Sequence, residues 1–371
     1  MKTPVVVGLA SILILARMRA LGYVFRRVVL ARSSTDPSGY GENHTVVEAL
    51  LDKAKVSGWT RAATVEGGVK SRSNKRVLGN ALEEYGADLI HITSQNDAHM
   101  VPKKGAAVPV VVSVHDLYDH RPRAIDAGDV PVPLGDRFPP SAKARLLASC
   151  REGMARADLL LCASERTLEE ARGMFPGTSC MLVRDSVDDE FWDPNRNPRP
   201  RRMLGESGNE EKCLLVSVGE KDPRWRAQFV NEVFSSVPEE VREDLLLFRI
   251  GAGRIDWEQV AAAFQHAEAV LYPGVSVGFR SPPLEAMASG CPVLASDLPM
   301  HDEVLPPRCL LPATDSGHWV SAIVEIHSKW VRAGGVPRLV DGELLSLAKG
   351  SFGRSAHGGA LSDAYEIACA K

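Results

Sequence analysis

The sequence lacks the cysteine spacing of a disulfide framework or of a zinc site. Its seven cysteines are scattered, odd in number, and include no pair separated by two residues. This usage is typical of reduced thiols in a cytosolic protein. Charge of one sign is not in excess either, because 44 basic residues stand against 47 acidic ones. The balance excludes an acidic tail and argues against nucleic acid as a partner.

An apolar run long enough to span a bilayer is also missing near the N-terminus. Residues 4–16 form a run of thirteen, whereas a spanning helix needs about 20. Arginines follow this run where a signal peptide would have small residues. Residues 1–32 carry six basic side chains and no acidic one, so we expect a membrane-surface segment there, led by an apolar and basic extension over 1–24. A buried strand and helix is the alternative.

The length and the order of patterns predict two α/β domains. At 371 residues the chain is more than twice as long as a typical domain. Continuous apolar runs alternate with helical patterns, which indicates parallel sheets covered on both faces. We predict an N-terminal domain over 25–190, a linker over 191–212 and a C-terminal domain over 213–350. Residues 121–140 are predicted as loop. Residues 350–371 are predicted as a short loop followed by a last helix, and we expect the helical segment, 351–371, to return to the N-terminal domain.

One segment of the second domain has the character of a phosphate site. A strand at 269–272 is followed by a glycine-containing loop and by a helix that opens with Pro282 and Pro283. Proline suits a first helical turn, whose free N–H groups bind anions. Gly278 allows a ligand to approach the backbone closely, and Glu285 can accept hydrogen bonds from a ribose diol. These features predict a nucleotide pocket, with an ordinary strand–loop–helix unit as the alternative.

This segment resembles the donor-site signature of retaining GT-B glycosyltransferases, particularly family 4, PS-x-x-EGFGLP-x-LEAMA-x-G-x-PV. The matching residues are Pro273, Gly278, Phe279, Pro282, Leu284, Glu285, Ala286, Met287, Ala288, Gly290, Pro292 and Val293. Further likenesses are DLIHITS (88–94), VPVVVSVHDL (108–117), ADLLLCASERTLEEA (157–171) and VSVGEKDPRWR (216–226), the last of which is similar to yVG-x-x-x-PRKN. The resemblance implies a GT-B fold, in which two Rossmann-like, doubly wound parallel-sheet domains face a cleft.

The resemblance also implies roles for individual residues. His115 would contact the donor sugar, and Arg224 would stabilise charge on the leaving diphosphate; we expect these two as catalytic residues. A structural histidine and a solvated arginine are the alternatives. Lys221 or Arg226 would supply a second cation. The residues expected to bind the donor are Glu285, Gly278, Phe279, Arg280, Ser281, Leu284, Lys221, Gly39 and Gly41.

The sequence departs from the family pattern at two positions that matter for chemistry. Val277 stands where relatives keep the first glutamate of a pair, eight residues before Glu285, and Trp225 stands where lysine is usual. A valine can neither accept a hydrogen bond nor carry charge. The departures leave open both an active transferase and a catalytically impaired subunit that binds nucleotide sugars.

The reaction implied by the resemblance is transfer of a hexose from a UDP- or GDP-sugar to a hydroxyl acceptor, with retention of configuration. A glycan or a lipid-linked glycan is the expected acceptor, and the nucleotide sugar is a co-substrate. Neither a cofactor nor a metal is expected. The expected location is the cytoplasm, including the cytoplasmic membrane face, with a homo- or hetero-oligomer left open. A sugar-nucleotide epimerase or a phosphorylase on the same fold is a further alternative.

Overall fold

The structure is a computed structural model that describes residues 25–33, 42–53, 55–67, 71–103, 105–125, 131–204, 212–219, 223–251, 256–275 and 282–370. The chain divides into two compact units. Unit 1 contains the described residues of Met1–His120, Phe138–Asp185 and Arg354–Lys371, and unit 2 contains those of Arg121–Arg137 and Ser186–Gly353.

The secondary structure alternates between strands and helices. Up to residue 185 the elements are β1 (Arg26–Ser33), α1 (Glu42–Asp52), β2 (Trp59–Gly67), α2 (Ser71–Tyr85), β3 (Leu89–Ile92), a 3-10 helix (Gln95–Met100), β4 (Val110–Val114), β5 (Arg123–Ile125), β6 (Val132–Leu134), α3 (Ser141–Met154), β7 (Leu159–Cys162), α4 (Glu165–Met174) and β8 (Ser179–Leu182). The remaining elements are a 3-10 helix (Arg201–Leu204), β9 (Cys213–Val218), a 3-10 helix (Pro223–Trp225), α5 (Ala227–Ser236), α6 (Glu239–Arg242), β10 (Leu245–Ile250), α7 (Trp257–His266), β11 (Ala269–Tyr272), α8 (Pro282–Ala288), β12 (Val293–Ser296), α9 (Pro299–Asp302), a 3-10 helix (Pro307–Cys309), β13 (Leu310–Leu311), α10 (Ser316–Arg332), α11 (Gly342–Phe352) and α12 (Arg354–Cys369).

Unit 1 is built on a six-stranded parallel sheet in the order β2-β1-β3-β4-β7-β8. Its inner strands β3, β4 and β7 are largely apolar and buried along their whole length, as a parallel sheet between helices requires. Side-chain caps start the helices: the Ser164 hydroxyl accepts a hydrogen bond from the Thr167 N–H at the beginning of α4, at 3.0 Å. The predicted α/β class is confirmed for this unit.

Unit 2 repeats the plan with a five-stranded parallel sheet in the order β10-β9-β11-β12-β13. In each sheet the first strand is internal. The chain goes from it to one side for the second strand and crosses to the other side for the third. Ligands in open α/β sheets bind outside the carboxyl ends of the strands at this reversal. The topology therefore places a candidate site beyond β9 and β11.

The structure corrects the prediction of a loop over 121–140. Residues Arg123–Ile125 and Val132–Leu134 pair as antiparallel strands, with Arg123 opposite Leu134. The side chain of Leu134 is fully buried. The prolines in this stretch hid the strands from sequence analysis, because proline is depleted in sheets except at their edges.

The C-terminal region also differs from the prediction. Gly350 lies inside α11, and only Gly353 separates α11 from α12, so no loop begins at residue 350. Helix α12 packs in unit 1, where the Tyr365 hydroxyl lies 2.8 Å from Nδ1 of His91. Nε2 of His91 lies 2.8 Å from the Ser113 hydroxyl. The histidine of the DLIHITS segment thus belongs to a buried polar network that joins the last helix to the sheet.

Residues 191–212 were predicted to be a linker, but their described part packs within unit 2. Trp192 is buried, and the guanidinium of Arg199 binds the Glu258 carboxylate of α7 at 2.6 Å. The same guanidinium donates to the carbonyl of Phe191 at 3.0 Å. This segment is therefore part of the second unit's core rather than an independent tether.

Part of the predicted membrane-surface segment, residues 1–32, forms a strand of unit 1. Residues 26–32 belong to β1, and Val28–Ala31 are fully buried. Residues 1–24 lie outside the described part of the chain. Among the described residues, no helix combines the length and the apolar character needed to cross a membrane.

Gly153 provides a test of the packing of α3 on the 3-10 helix of unit 1. A Cβ atom at Gly153 would lie 1.8 Å from the Ala98 carbonyl oxygen. We expect Gly153→Ala to lower the free energy of unfolding by about 1–3 kcal/mol, because backbone would have to move. Gly79→Ala in α2 is the matched control, since its Cβ would meet nothing within 4 Å. It should stabilise by roughly 0.5–1 kcal/mol through helix propensity. Equal effects in urea denaturation would contradict this packing.

Candidate functional site

The candidate site in unit 2 lies at the carboxyl ends of β9 and β11. The segment after β9 reaches the segment after β11 through a backbone hydrogen bond, in which the Val275 N–H donates to the carbonyl of Arg224 at 2.9 Å. The side chain of Arg224 is half-buried in the 3-10 helix Pro223–Trp225. Two stretches that the sequence singled out, 216–226 and 273–293, therefore meet at the predicted edge of the sheet.

Trp225 fills the space above the end of β9. Gly219 has a φ of +90°, and a Cβ atom there would lie 2.2 Å from Cγ of Trp225. The Trp225 ring also packs edge-on against Tyr272, with centroids 5.7 Å apart. The tryptophan that replaces the usual lysine is thus a packing residue between β9 and β11. It supplies no positive charge.

Arg226 follows directly, and its guanidinium is turned inward. Nη1 donates to the carbonyls of Ala313 at 2.8 Å and Pro273 at 3.3 Å, and lies 3.5 Å from the Ser296 hydroxyl. These acceptors follow or end the strands β11, β12 and β13. Burial lowers the pKa of Arg226, while the charge of Glu232 raises it. Arginine nonetheless stays protonated at any physiological pH, so a positive charge is fixed at this edge of the sheet.

Helix α8 carries half of the matching signature residues, from Pro282 to Ala288. Glu285 lies in its first turn and is half-buried. Leu284 is buried, and Ala286, Met287 and Ala288 are fully buried, so this face of the helix packs into unit 2. The small side chains of Ala286 and Ala288 let α8 lie close to its neighbours. For Leu284 the structure shows a core side chain.

Several predicted donor-binding residues lie outside the described part of the chain. They are Gly39, Gly41, Lys221, Gly278, Phe279, Arg280 and Ser281, and Val277 is with them. Among the described residues, no group of three or more His, Cys, Asp or Glu side chains is placed to hold a metal ion.

His115 directly follows strand β4 of unit 1, and both of its ring nitrogens are engaged. Nδ1 lies 2.7 Å from a carboxylate oxygen of Asp185, and Nε2 lies 3.0 Å from the carbonyl oxygen of Thr93. A carbonyl oxygen can only accept, so Nε2 carries a proton. An ionised Asp185 accepts from Nδ1 as well. The geometry therefore describes an imidazolium paired with Asp185.

The charge of this imidazolium is stabilised against burial. Burial favours the neutral ring, but the charge and hydrogen bond of Asp185 and the carbonyl of Thr93 outweigh it and raise the pKa of His115 above 6.5. Only about a tenth of each side chain in the pair is exposed. Sequence analysis missed Asp185 as the partner, because 70 residues separate the pair. The only signal was aspartate at 185, where the family usually has asparagine.

Comparison with known proteins bears on the C-terminal unit first. Residues 209–329 match the family model described as glycosyl transferases group 1. A 73-residue stretch is 38% identical to the O-antigen chain mannosyltransferase RfbU of Salmonella typhimurium. That stretch covers 19% of this chain and 21% of RfbU, so the chain aligns with about a fifth of that relative's length.

Solved structures share the fold over nearly the whole chain. Sucrose-phosphate synthase from Thermosynechococcus elongatus superposes with a TM-score of 0.64 at 14% identity, covering 92% of this chain and 98% of that one. HepE of Anabaena, in complex with UDP, gives a TM-score of 0.65 at 12% identity, covering 91% and 99%. The predicted resemblance to group 1 glycosyltransferases and the GT-B fold class are confirmed.

The His115–Asp185 pair predicts how stability depends on pH. Because the folded-state pKa of His115 lies above the unfolded value of 6.5, the pair stabilises unit 1 fully below pH 6.5 and loses this effect as pH rises through the folded pKa. We expect His115→Gln to lower the melting temperature more at about pH 6 than at about pH 9. His318→Gln, in an exposed pair with Asp315, is the control and should change little. A deficit independent of pH would refute the charged pair.

Gly219 predicts a second effect on stability, in unit 2. Gly219→Ala should cost more than Gly334→Ala, because both glycines have positive φ but only Gly219 faces a neighbour. The left-handed backbone alone costs roughly 1–2 kcal/mol. The double variant Gly219→Ala/Trp225→Ala should lose less than the sum of the single changes, since the clash is removed. Additive losses in chemical denaturation would contradict the contact.

Proposed function

Because residues 209–329 resemble the group 1 glycosyltransferases, we propose that this chain transfers a hexose from a nucleoside-diphosphate sugar to a hydroxyl acceptor with retention of configuration. The acceptor class is a glycan or a lipid-linked glycan. The observation that carries the proposal is the meeting of the 216–226 and 273–293 segments at the strand reversal of unit 2, joined by the Val275–Arg224 hydrogen bond. We propose that the cations of the first segment and Glu285 of helix α8 act together at this edge of the sheet.

The proposed chemistry needs a charged leaving group to be stabilised. The acceptor oxygen forms a bond to the anomeric carbon while the bond from that carbon to the phosphate oxygen breaks. The electron pair of the broken bond goes to the diphosphate, and the acceptor proton passes to a phosphate oxygen. Cationic side chains placed in advance stabilise this charge without reorganisation. Arg224 and Lys221 are the residues that we propose for this task, and no metal is part of the proposal.

His115 has a narrower role in this proposal than the family resemblance implies. Its Nε2 proton is held by the Thr93 carbonyl and its Nδ1 proton by Asp185. To contact a sugar hydroxyl, His115 would therefore have to give up the hydrogen bond from Nε2 to the Thr93 carbonyl and form one to the donor sugar instead. As an imidazolium, His115 would donate to such a hydroxyl and would not act as a base.

The proposal is tested by nucleotide binding and by turnover. Thermal shifts with UDP, GDP and ADP should identify a ligand, and a screen of UDP-, GDP- and ADP-sugars, including mannosyl donors because of the likeness to RfbU, should detect transfer or donor hydrolysis. Binding together with turnover supports an active transferase. Binding without turnover would identify a catalytically impaired subunit. This alternative is specific because Val277 stands where the family pattern has its first glutamate. The absence of any nucleotide shift would refute both.

Glu285→Gln tests the ribose role of the signature glutamate. A hydrogen bond to a charged group is worth about 1.5–3 kcal/mol, so affinity should fall roughly 10- to 100-fold for the nucleoside and for its diphosphate alike. Glu239→Gln is the control, since Glu239 is also in the first turn of a helix of unit 2 and is exposed. Unchanged titration curves for Glu285→Gln would remove this residue from the site.

A further inference from the structure

Arg226 carries a buried charge that forms no ion pair with a carboxylate in the described part of the chain, although the charge of Glu232 acts on it from a distance. Less than a tenth of the residue is exposed. Among the described residues, its hydrogen-bond partners are two carbonyl oxygens and a hydroxyl, and it takes part in no ion pair. A buried charge is costly unless it is paired. An arginine in this setting therefore fits an anion that binds from outside the protein.

The hydrogen bonds of Arg226 leave one edge of the guanidinium unused. All three involve Nη1, and the ring of Phe229 lies under the guanidinium, with Cζ 4.1 Å from the ring centroid. Nε and Nη2 have no partner among the described residues. This pair of nitrogens forms the fork that binds two oxygens of a phosphate or carboxylate in parallel. The fork is held in place before any ligand arrives.

The backbone of Arg226 points to the same conclusion. Its φ of 54° and ψ of 44° are left-handed, and it is the only residue other than glycine with positive φ in the described part of the chain. Such a conformation is unfavourable for an arginine, because its Cβ atom crowds the following carbonyl oxygen. In the family pattern PRKN this position is asparagine, which tolerates the left-handed region better. The cation is thus kept where the backbone disfavours it.

We infer that Arg226 is an oxyanion-binding residue, whose Nε–Nη2 edge takes phosphoryl oxygens of the donor diphosphate. The inference rests on the proposed function and specifies which cation replaces the one lost at Trp225. Nη1 anchors the side chain to the carbonyls beyond β11 and β13. The same residue therefore holds the edge of the site together and presents charge to the ligand. Arg224, at the arginine position of the pattern, is not required to take over the missing charge.

The test compares a nucleoside diphosphate with its nucleoside. The diphosphate is the one that gives the largest thermal shift with the wild-type chain, and both ligands are titrated calorimetrically. Arg226→Asn removes the charge and keeps a residue suited to the left-handed backbone, so folding should be retained. We expect it to weaken diphosphate binding by about 10- to 100-fold, the loss of one charge-assisted bidentate contact. Nucleoside affinity should change by less than about threefold.

Two further variants separate charge from geometry. Arg226→Lys keeps the charge without the fork and should retain an intermediate affinity for the diphosphate. Arg332→Asn removes an exposed charge of unit 2 and should leave both affinities unchanged.

The outcomes distinguish the inference from the function on which it rests. If the wild-type chain binds no nucleoside diphosphate, the proposed function fails. If it binds and Arg226→Asn binds equally well, the inference fails alone. An equal loss for nucleoside and diphosphate would show that Arg226 only shapes the pocket, and would overturn the inference as well.

Discussion

The parallel pairing of β9 with β11 is the interaction on which the candidate site depends. It puts the carboxyl ends of two strands side by side, although more than 50 residues separate them in sequence. The segments that leave these ends are then joined by the Val275–Arg224 hydrogen bond and by the reach of Arg226 to the Pro273 carbonyl. Without that pairing, the arginines of one segment and the glutamate of the other would have no common edge.

Two buried cations show different solutions to the cost of removing charge from water. In unit 1, His115 is paired with Asp185 inside the protein, and the pair raises the pKa of the imidazole and so favours its charged form. In unit 2, Arg226 is bound to neutral carbonyl oxygens, which orient the guanidinium without neutralising it. The charge of His115 is balanced by a carboxylate of the same chain. The charge of Arg226 remains available to a bound anion, and this is why Arg226 is the better indicator of a ligand.

Aromatic packing occupies the place where the family pattern has a lysine. Trp225 rests on Gly219 and meets Tyr272, and Tyr272 in turn meets His301 at 5.6 Å between ring centroids. These rings fill the edge of the sheet between β9 and β12. A lysine at position 225 would not fill that space. Trp225 thus packs where a lysine would carry charge, and the side chain of the next residue, Arg226, turns inward beside it. The two features belong to one local arrangement.

The sequence by itself determined the parallel-sheet class and the two-unit plan, and it singled out the two segments that meet at the candidate site. Continuous apolar runs and a long signature can be recognised from residues that are neighbours in the sequence. Tertiary structure alone decided the partner of His115, the inward course of Arg226 and the packing of 191–212, since each depends on residues distant in the chain. It also decided that 123–125 and 132–134 form strands and that Gly350 lies within a helix. There, burial against the rest of the unit outweighs the local preferences of proline and glycine.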